Sequence, residues 1–104
     1  MKWKIIKIDY DDKTIFKLLR GYSEGYFYGD SWRLNSGITD ISVTKNGEEK
    51  LYTIHGYSGS SYMVGSNSEG MLMIMQDILE ELRCRYPEAT FSLSSVEEFF
   101  YDRG

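Results

Sequence analysis

The 104-residue chain contains one cysteine, one proline and one histidine, and this scarcity excludes several kinds of site. With Cys84 alone, no intramolecular disulfide and no multi-cysteine zinc or iron–sulfur site can form. A cysteine–histidine nucleophile would have to combine Cys84 with His55. The predicted helix places Cys84 on an outward stripe, without the basic neighbourhood that activates a thiol. We therefore expect no catalytic residue, no metal ligand and no cofactor.

Long apolar runs are also absent. No stretch approaches the roughly 20 apolar residues of a membrane span, and the first ten residues lack the apolar run of a signal peptide. Together with the single cysteine, this pattern predicts a protein of the cytoplasm with no membrane partner. The length predicts a single α+β domain, 1–104, able to bury its own core.

The formal net charge of −4 is unevenly distributed along the chain. Residues 1–20 carry six basic and three acidic side chains, whereas residues 21–104 carry six basic and thirteen acidic ones. An acidic body disfavours direct binding to nucleic acid, whose phosphates attract basic surfaces. It favours contact with another protein that has a basic surface, including one that normally binds nucleic acid.

The clearest helical pattern begins at Ser66. Ser66 followed by Glu69 is typical of a capping box, and Pro87 is a helix stop, so we predict a long helix over about 67–86. An apolar arc of roughly 160° on this helix would cover a sheet. Its members are Met71, Leu72, Ile74, Met75, Ile78, Leu79, Leu82 and Tyr86.

The opposite face of this helix is acidic but is interrupted by Met73 and Cys84. Asp77 and Glu80 lie on the same stripe, at helical spacing from both of them. Two explanations stay open: a terminal segment folds over these two side chains, or they form a small contact patch for a partner.

The first half of the chain has one further helical pattern. Asp11 or Asp12 can cap a short helix over about 12–21, because the following apolar residues are spaced at i, i+3, i+4 and i+7. These apolar residues are Ile15, Leu18, Leu19 and Tyr22.

Near the C-terminus, Ser94 or Ser95 with a glutamate three residues on predicts a short final helix.

Strand patterns occupy much of the remaining chain. Residues 3–10 have apolar side chains on both faces, which predicts a strand covered on both sides. Asn46-Gly47 between two alternating segments predicts a β-hairpin with a type I′ turn. Shorter strands are predicted at 25–28, 31–35, 61–64 and 89–93. This order predicts an α+β fold, ferredoxin-like or a variant, with four to six antiparallel strands and the two longer helices on one sheet face.

Tests for enzyme motifs fail in the glycine- and serine-rich segment before the long helix. The sequence G-Y-S-G at 56–59 is not a nucleophile elbow, because residue 60 is serine where the second glycine is needed. The segment also lacks the lysine of a Walker loop, and Glu69 would repel a phosphate from the following helix end.

Tyrosine, serine and glycine are concentrated between residues 21 and 68, which hold six of the nine tyrosines. This composition is typical of protein-binding surfaces, because tyrosine provides a large rigid contact and serine and glycine adapt around it. The same residues could instead pack a second sheet face. The predicted partner-binding residues are Tyr26, Tyr28, Trp32, Tyr57, Ser58, Tyr62, Asp77, Glu80 and Glu81.

These features favour a non-enzymatic binding module that docks on a basic protein. Small acidic inhibitors of nucleic-acid enzymes, such as the anti-CRISPR proteins of phages and mobile elements, are similar in size and charge, and so are toxin-immunity proteins. The helix carboxylates of Asp77, Glu80 and Glu81, or alternatively those of Glu48 and Glu49, would then imitate phosphates on the partner's basic surface. Two alternatives are a small enzyme or ligand-binding domain with a pocket formed by His55, Tyr57 and Ser58, and a homodimer formed through exposed tyrosines.

Overall fold

The architecture follows from the first strand, β1 (Lys2–Tyr10), which carries apolar side chains on both faces. The computed structural model describes residues 1–23 and 29–103. In it Trp3 and Ile5 point to one side of β1 and Ile6 to the other, and each is at most 1% exposed. A strand buried on both faces requires a packed layer on each side. The prediction of a doubly covered strand at 3–10 is confirmed.

The described part of the chain forms seven strands in two antiparallel sheets, with two α-helices. One sheet has four strands, in the order β3 (Asp30–Leu34), β2 (Lys13–Ser23), β1, β7 (Thr90–Ser94). The other has three, in the order β4 (Ile38–Asn46), β5 (Glu49–Gly56), β6 (Ser61–Gly65). The helices are α1 (Met73–Arg85) and α2 (Val96–Arg103). The α+β class is confirmed, whereas the single sheet and the ferredoxin-like arrangement are not.

Two apolar cores lie on opposite faces of the four-stranded sheet. The first fills the space between the two sheets and includes Trp3, Ile5, Leu18, Ile54 and Phe99. The second lies between the four-stranded sheet and α1, and its buried members are Ile6, Leu19, Met75, Leu79 and Phe91. The four-stranded sheet is therefore the middle layer of three.

The predicted short helix over 12–21 is wrong, because these residues form most of strand β2. β2 pairs with β1 through a turn at Asp11 and Asp12, whose φ angles of 50° and 63° are those of a type I′ hairpin turn. Phe16 and Leu18 enter the first core and Leu19 enters the second. Because β2 is buried on both faces, its apolar residues do not simply alternate, and their spacing imitates a helix.

The predicted hairpin around Asn46-Gly47 is confirmed, with a different turn type. Asn46 pairs with Glu49, so Gly47 and Glu48 are the two turn residues. Gly47 has a φ of 66°, whereas Glu48 is not among the residues with positive φ. Positive φ at the first central residue alone is the pattern of a type II′ turn rather than type I′.

The predicted helix over 67–86 is shorter than expected. Residues 66–68 form a 3-10 turn, and Glu69 then makes a parallel bridge to Trp3 in β1. The Glu69 carboxylate accepts from Lys4 Nζ at 2.8 Å instead of capping a helix. Helix α1 consequently begins only at Met73. No helix in the described residues is long and apolar enough to span a membrane.

The predicted apolar arc of α1 faces the four-stranded sheet, with Met75 and Leu79 buried. On the outer face, Met73 is 76% exposed and Cys84 is exposed. The idea that a terminal segment covers them is wrong, because α2 packs into the first core through Val96 and Phe99, on the other side of the sheet.

Helix α2 begins as predicted, with Ser95 Oγ accepting from the Glu98 backbone N–H at 3.1 Å. The Phe99 ring meets the Phe16 ring edge-on, with centroids 5.4 Å apart. The Glu98 carboxylate accepts from Ser94 Oγ and from Lys7 Nζ, and so joins α2 to β7 and β1. The short C-terminal helix therefore closes one end of the space between the sheets.

Gly21→Ala should destabilise the protein, because a Cβ at residue 21 would lie 2.6 Å from Met75 Cγ and Sδ. Met75 is fully buried and has no room to move aside, so we expect a loss of about 1–3 kcal/mol in the free energy of unfolding, measured by urea denaturation. Gly70→Ala is the matched control, since its Cβ would meet only Lys2 Cδ at 3.6 Å. Equal stability of the two variants would contradict this packing of α1 on β2.

The hydrogen bond from Ser94, followed by that from Lys7, lowers the pKa of Glu98. A lowered pKa stabilises the folded state fully above the unfolded value of about 4.3, and this stabilisation is lost as the pH falls through the folded value. Glu98→Gln should therefore be less stable than the parent protein at pH 7 and approach it below about pH 3. Urea denaturation across this range tests the prediction, with the exposed Glu97→Gln as control. A stability difference that does not change with pH would contradict it.

Candidate protein-binding surface

An open groove of about 590 Å³ separates strand β3 from helix α1. β3 is the outermost strand of its sheet in the described part of the chain, so one side of its backbone has no neighbouring strand there. Trp32 is 36% exposed in this groove. The lining residues are Asp30, Ser31, Trp32, Arg33, Leu34 and Ile74.

Glycine at residue 21 allows the groove to form. Gly21 lies opposite Trp32 in the β2–β3 register, and Met75 of α1 packs directly on it. The close approach of α1 to β2 brings Ile74, the neighbour of Met75, to the β3 side of the helix, where it lines the groove. The groove therefore depends on the absence of a side chain at one position of β2.

Asn35 fixes the far end of β3 against β2. Its backbone N–H donates to the Leu18 carbonyl, and its Oδ1 accepts from the Leu18 N–H at 2.8 Å. Because hydrogen-bonded pairs alternate along antiparallel strands, this pairing directs the backbone groups of Trp32 and Leu34 toward the open edge. Arg33 already donates to the outward Trp32 carbonyl at 2.8 Å. The Trp32 N–H and the backbone groups of Leu34 therefore face the open edge, whereas the Trp32 carbonyl already accepts from Arg33.

The predicted helix carboxylates differ in their partners. Glu80 is paired with Arg83, and Glu81 with Arg85 at 2.6 Å, so each has a counter-charge on its own helix. Asp77 is exposed and has no ion pair among the described residues.

Asp77 lies three residues after Ile74, so it shares the side of α1 that borders the groove. Asp30 belongs to the groove lining and likewise has no ion pair within the described ranges. Trp32, a predicted contact residue, thus lines one groove with Asp30 and Ile74, and the helical spacing sets Asp77 on the neighbouring side of α1.

Tyr57 and Ser58 lie on a separate surface. Tyr57 is 62% exposed and lines a cleft of about 300 Å³ with Thr14, Phe16 and residues of α2. Ser58 is exposed in the same loop and donates its backbone N–H to Ser36 Oγ. Thr14 is seven residues along β2 from the partner of Trp32, which corresponds to about 23 Å. The structure does not bring these two residues to the groove.

The other predicted tyrosines do not line the groove either. The Tyr62 ring is partly buried in β6 and has the Arg20 guanidinium carbon 4.0 Å from its centroid, so part of the ring is covered. Tyr26 and Tyr28, with the predicted strand 25–28, lie outside the described residues.

His55 lies on the solvent face of the three-stranded sheet. Its Nδ1 is 2.9 Å from Ser61 Oγ, and its Nε2 is 3.4 Å from Ser42 Oγ. The cleft beside Tyr57 includes neither His55 nor Ser58 in its lining. The three residues of the alternative pocket hypothesis are therefore not gathered in that cleft. Within residues 1–23 and 29–103, no three His, Cys, Asp or Glu side chains are grouped as a metal ion would need.

Several surface residues of interest were not predicted from the sequence. Asp30 and Ile74 border the groove, and Arg20 and Arg33 lie on the opposite face of β2 and β3. The assignment of residues 12–21 to a helix concealed the relation between Arg20 and Arg33, since only a strand places them in register. The alternation of side chains along β3 could have indicated that Arg33 and Trp32 leave opposite faces of the strand.

Comparison with known proteins identifies no relative of this chain: no family model, no curated protein and no solved structure matches it.

Proposed function

We propose that the protein is a non-enzymatic binding module of the cytoplasm that docks on and blocks a basic, nucleic-acid-processing protein, in the manner of anti-CRISPR and other anti-defence inhibitors. The supporting observation is the groove between β3 and α1, which combines an exposed tryptophan with Asp30, a carboxylate that has no ion pair in the described residues. The net charge of −4 adds a general attraction to a basic partner.

Each part of the groove would have its own role in binding. Trp32 offers a large aromatic anchor, the residue type most enriched among binding hot spots. Asp30 and Asp77 would receive lysine or arginine side chains of the partner, and the open edge of β3 would accept backbone hydrogen bonds from an extended segment.

Glu80 and Glu81 can add to this attraction although they are already paired. Exposed ion pairs on one helix contribute well below 1 kcal/mol, so a partner's arginine can replace Arg83 or Arg85 at little cost. The outer face of α1 would then present a row of carboxylates in place of the phosphates that the partner normally binds. Inhibition would follow from occupation of that basic surface.

Trp32→Ala should weaken the complex about 30-fold, because the loss of an aromatic hot spot costs about 2 kcal/mol. Asp77→Asn should weaken it severalfold and reduce its dependence on salt. The partner is first captured from lysate with the tagged protein, and its dissociation constants are then measured at low and high salt. Tyr101→Ala, at an 88% exposed aromatic residue of α2, and Glu97→Gln are the matched controls.

Several outcomes would contradict the proposal. Affinity that is unaffected by Trp32→Ala and by salt would exclude this surface. A partner that binds equally well when preloaded with nucleic acid would exclude blocking of its basic groove. A captured toxin would favour the immunity function instead. Self-association seen by sedimentation, without any other partner, would favour the homodimer.

A further inference from the structure

A second surface lies on the opposite face of β2 and β3 from the groove. Arg20 of β2 and Arg33 of β3 are directly opposite each other in the antiparallel register, so their side chains leave the same face of the sheet. Like charges at directly opposite positions repel each other and destabilise a sheet. The placement of two arginines here therefore calls for a compensating interaction.

Neither arginine has a carboxylate partner in the described residues. The three remaining arginines, Arg83, Arg85 and Arg103, are each ion-paired. Arg33 is exposed and donates to the Trp32 backbone carbonyl. The pair at 20 and 33 therefore carries two positive charges that the described part of the chain does not neutralise.

Among the described residues, Arg20 is held in place by aromatic side chains. Its guanidinium carbon lies 4.0 Å from the Tyr62 ring centroid, and its Nη1 donates to the Tyr22 hydroxyl at 3.0 Å. Its Nε is buried and has no hydrogen-bond partner within residues 1–23 and 29–103. A cation that is partly removed from water, stacked on a ring and without a carboxylate partner in the described part of the chain is preorganised for an anionic ligand.

The surroundings of the two arginines supply further donors. Arg20, Tyr22, Ser31 and Arg33 line a cleft of about 220 Å³. Two guanidinium groups, a phenol and an aliphatic hydroxyl thus border one small, open space. The two guanidinium groups can donate to several oxygens of one tetrahedral anion, because each can bind phosphate with two parallel hydrogen bonds.

We propose that this cleft binds a phosphate group, carried by a small molecule such as a nucleoside monophosphate or present as inorganic phosphate. The proposal does not depend on docking at the groove: Ser31 and Arg33 border both spaces, but the cleft is completed by Arg20 and Tyr22 and needs neither Trp32 nor Asp30. The acidic body of the protein would repel a polymer of phosphates, which favours a small phosphate compound over a nucleic-acid strand.

The test is an NMR titration of the ¹⁵N-labelled protein with inorganic phosphate, with adenosine monophosphate and with sodium chloride at equal ionic strength. We expect saturable shifts of the backbone amides at residues 20, 22, 31 and 33 with both phosphate compounds and not with chloride. Tighter binding of the nucleotide would identify a nucleotide ligand, and equal affinities would identify the phosphate group alone. Shifts of equal size with chloride would overturn the site.

Arg33→Gln is the decisive variant, because Arg33 is exposed and its loss leaves the core intact. We expect about a tenfold rise in the dissociation constant for phosphate, from the loss of one charged donor pair. Lys13→Gln removes the same charge from an exposed residue at the other end of β2 and should leave the affinity unchanged. Equal affinities of Arg33→Gln and the parent protein would overturn the proposal, as would equal weakening by Lys13→Gln.

Discussion

The double burial of β1 is the constraint on which the rest of the structure depends. Its alternating side chains enter two cores, one shared with the three-stranded sheet and one shared with α1. Trp3 is fully buried, and its indole N–H donates to the Gly65 carbonyl of β6 at 2.7 Å. A buried indole needs such a partner, and this bond joins the two sheets directly. The three layers are thus organised around one strand.

The positions of the two proposed surfaces follow from the alternation of side chains along the outer strand β3. Because successive side chains of a strand alternate, Asp30, Trp32 and Leu34 lie on the α1 side of β3 and Ser31 and Arg33 on the other. Ser31 and Arg33 also reach the border of the groove. One face therefore carries an aromatic residue and acids, and the other carries arginine. A chain with a net charge of −4 can in this way separate a surface for basic proteins from a small site for an anion.

The sequence predicted those elements whose signals are local. The hairpin at Asn46-Gly47, the capping serine of α2 and the apolar arc of α1 all depend on residues within one or two turns of chain. The strand β2 was mistaken for a helix because burial on both faces removes simple alternation. The start of α1 was misplaced because Glu69 bonds to Lys4, a contact between residues distant in sequence. The groove could not be predicted, since it depends on α1 packing against Gly21.

Native-state hydrogen exchange measured by NMR tests the central role of β1 most directly. We predict that the amides of Ile5 and Ile6, paired with β2 on one side and β7 on the other, exchange only through global unfolding. Their exchange free energies should equal the free energy of unfolding measured by urea denaturation and should be the highest in the chain. Exchange of these amides at a clearly lower free energy than those of β5 or α1 would contradict an architecture built around β1.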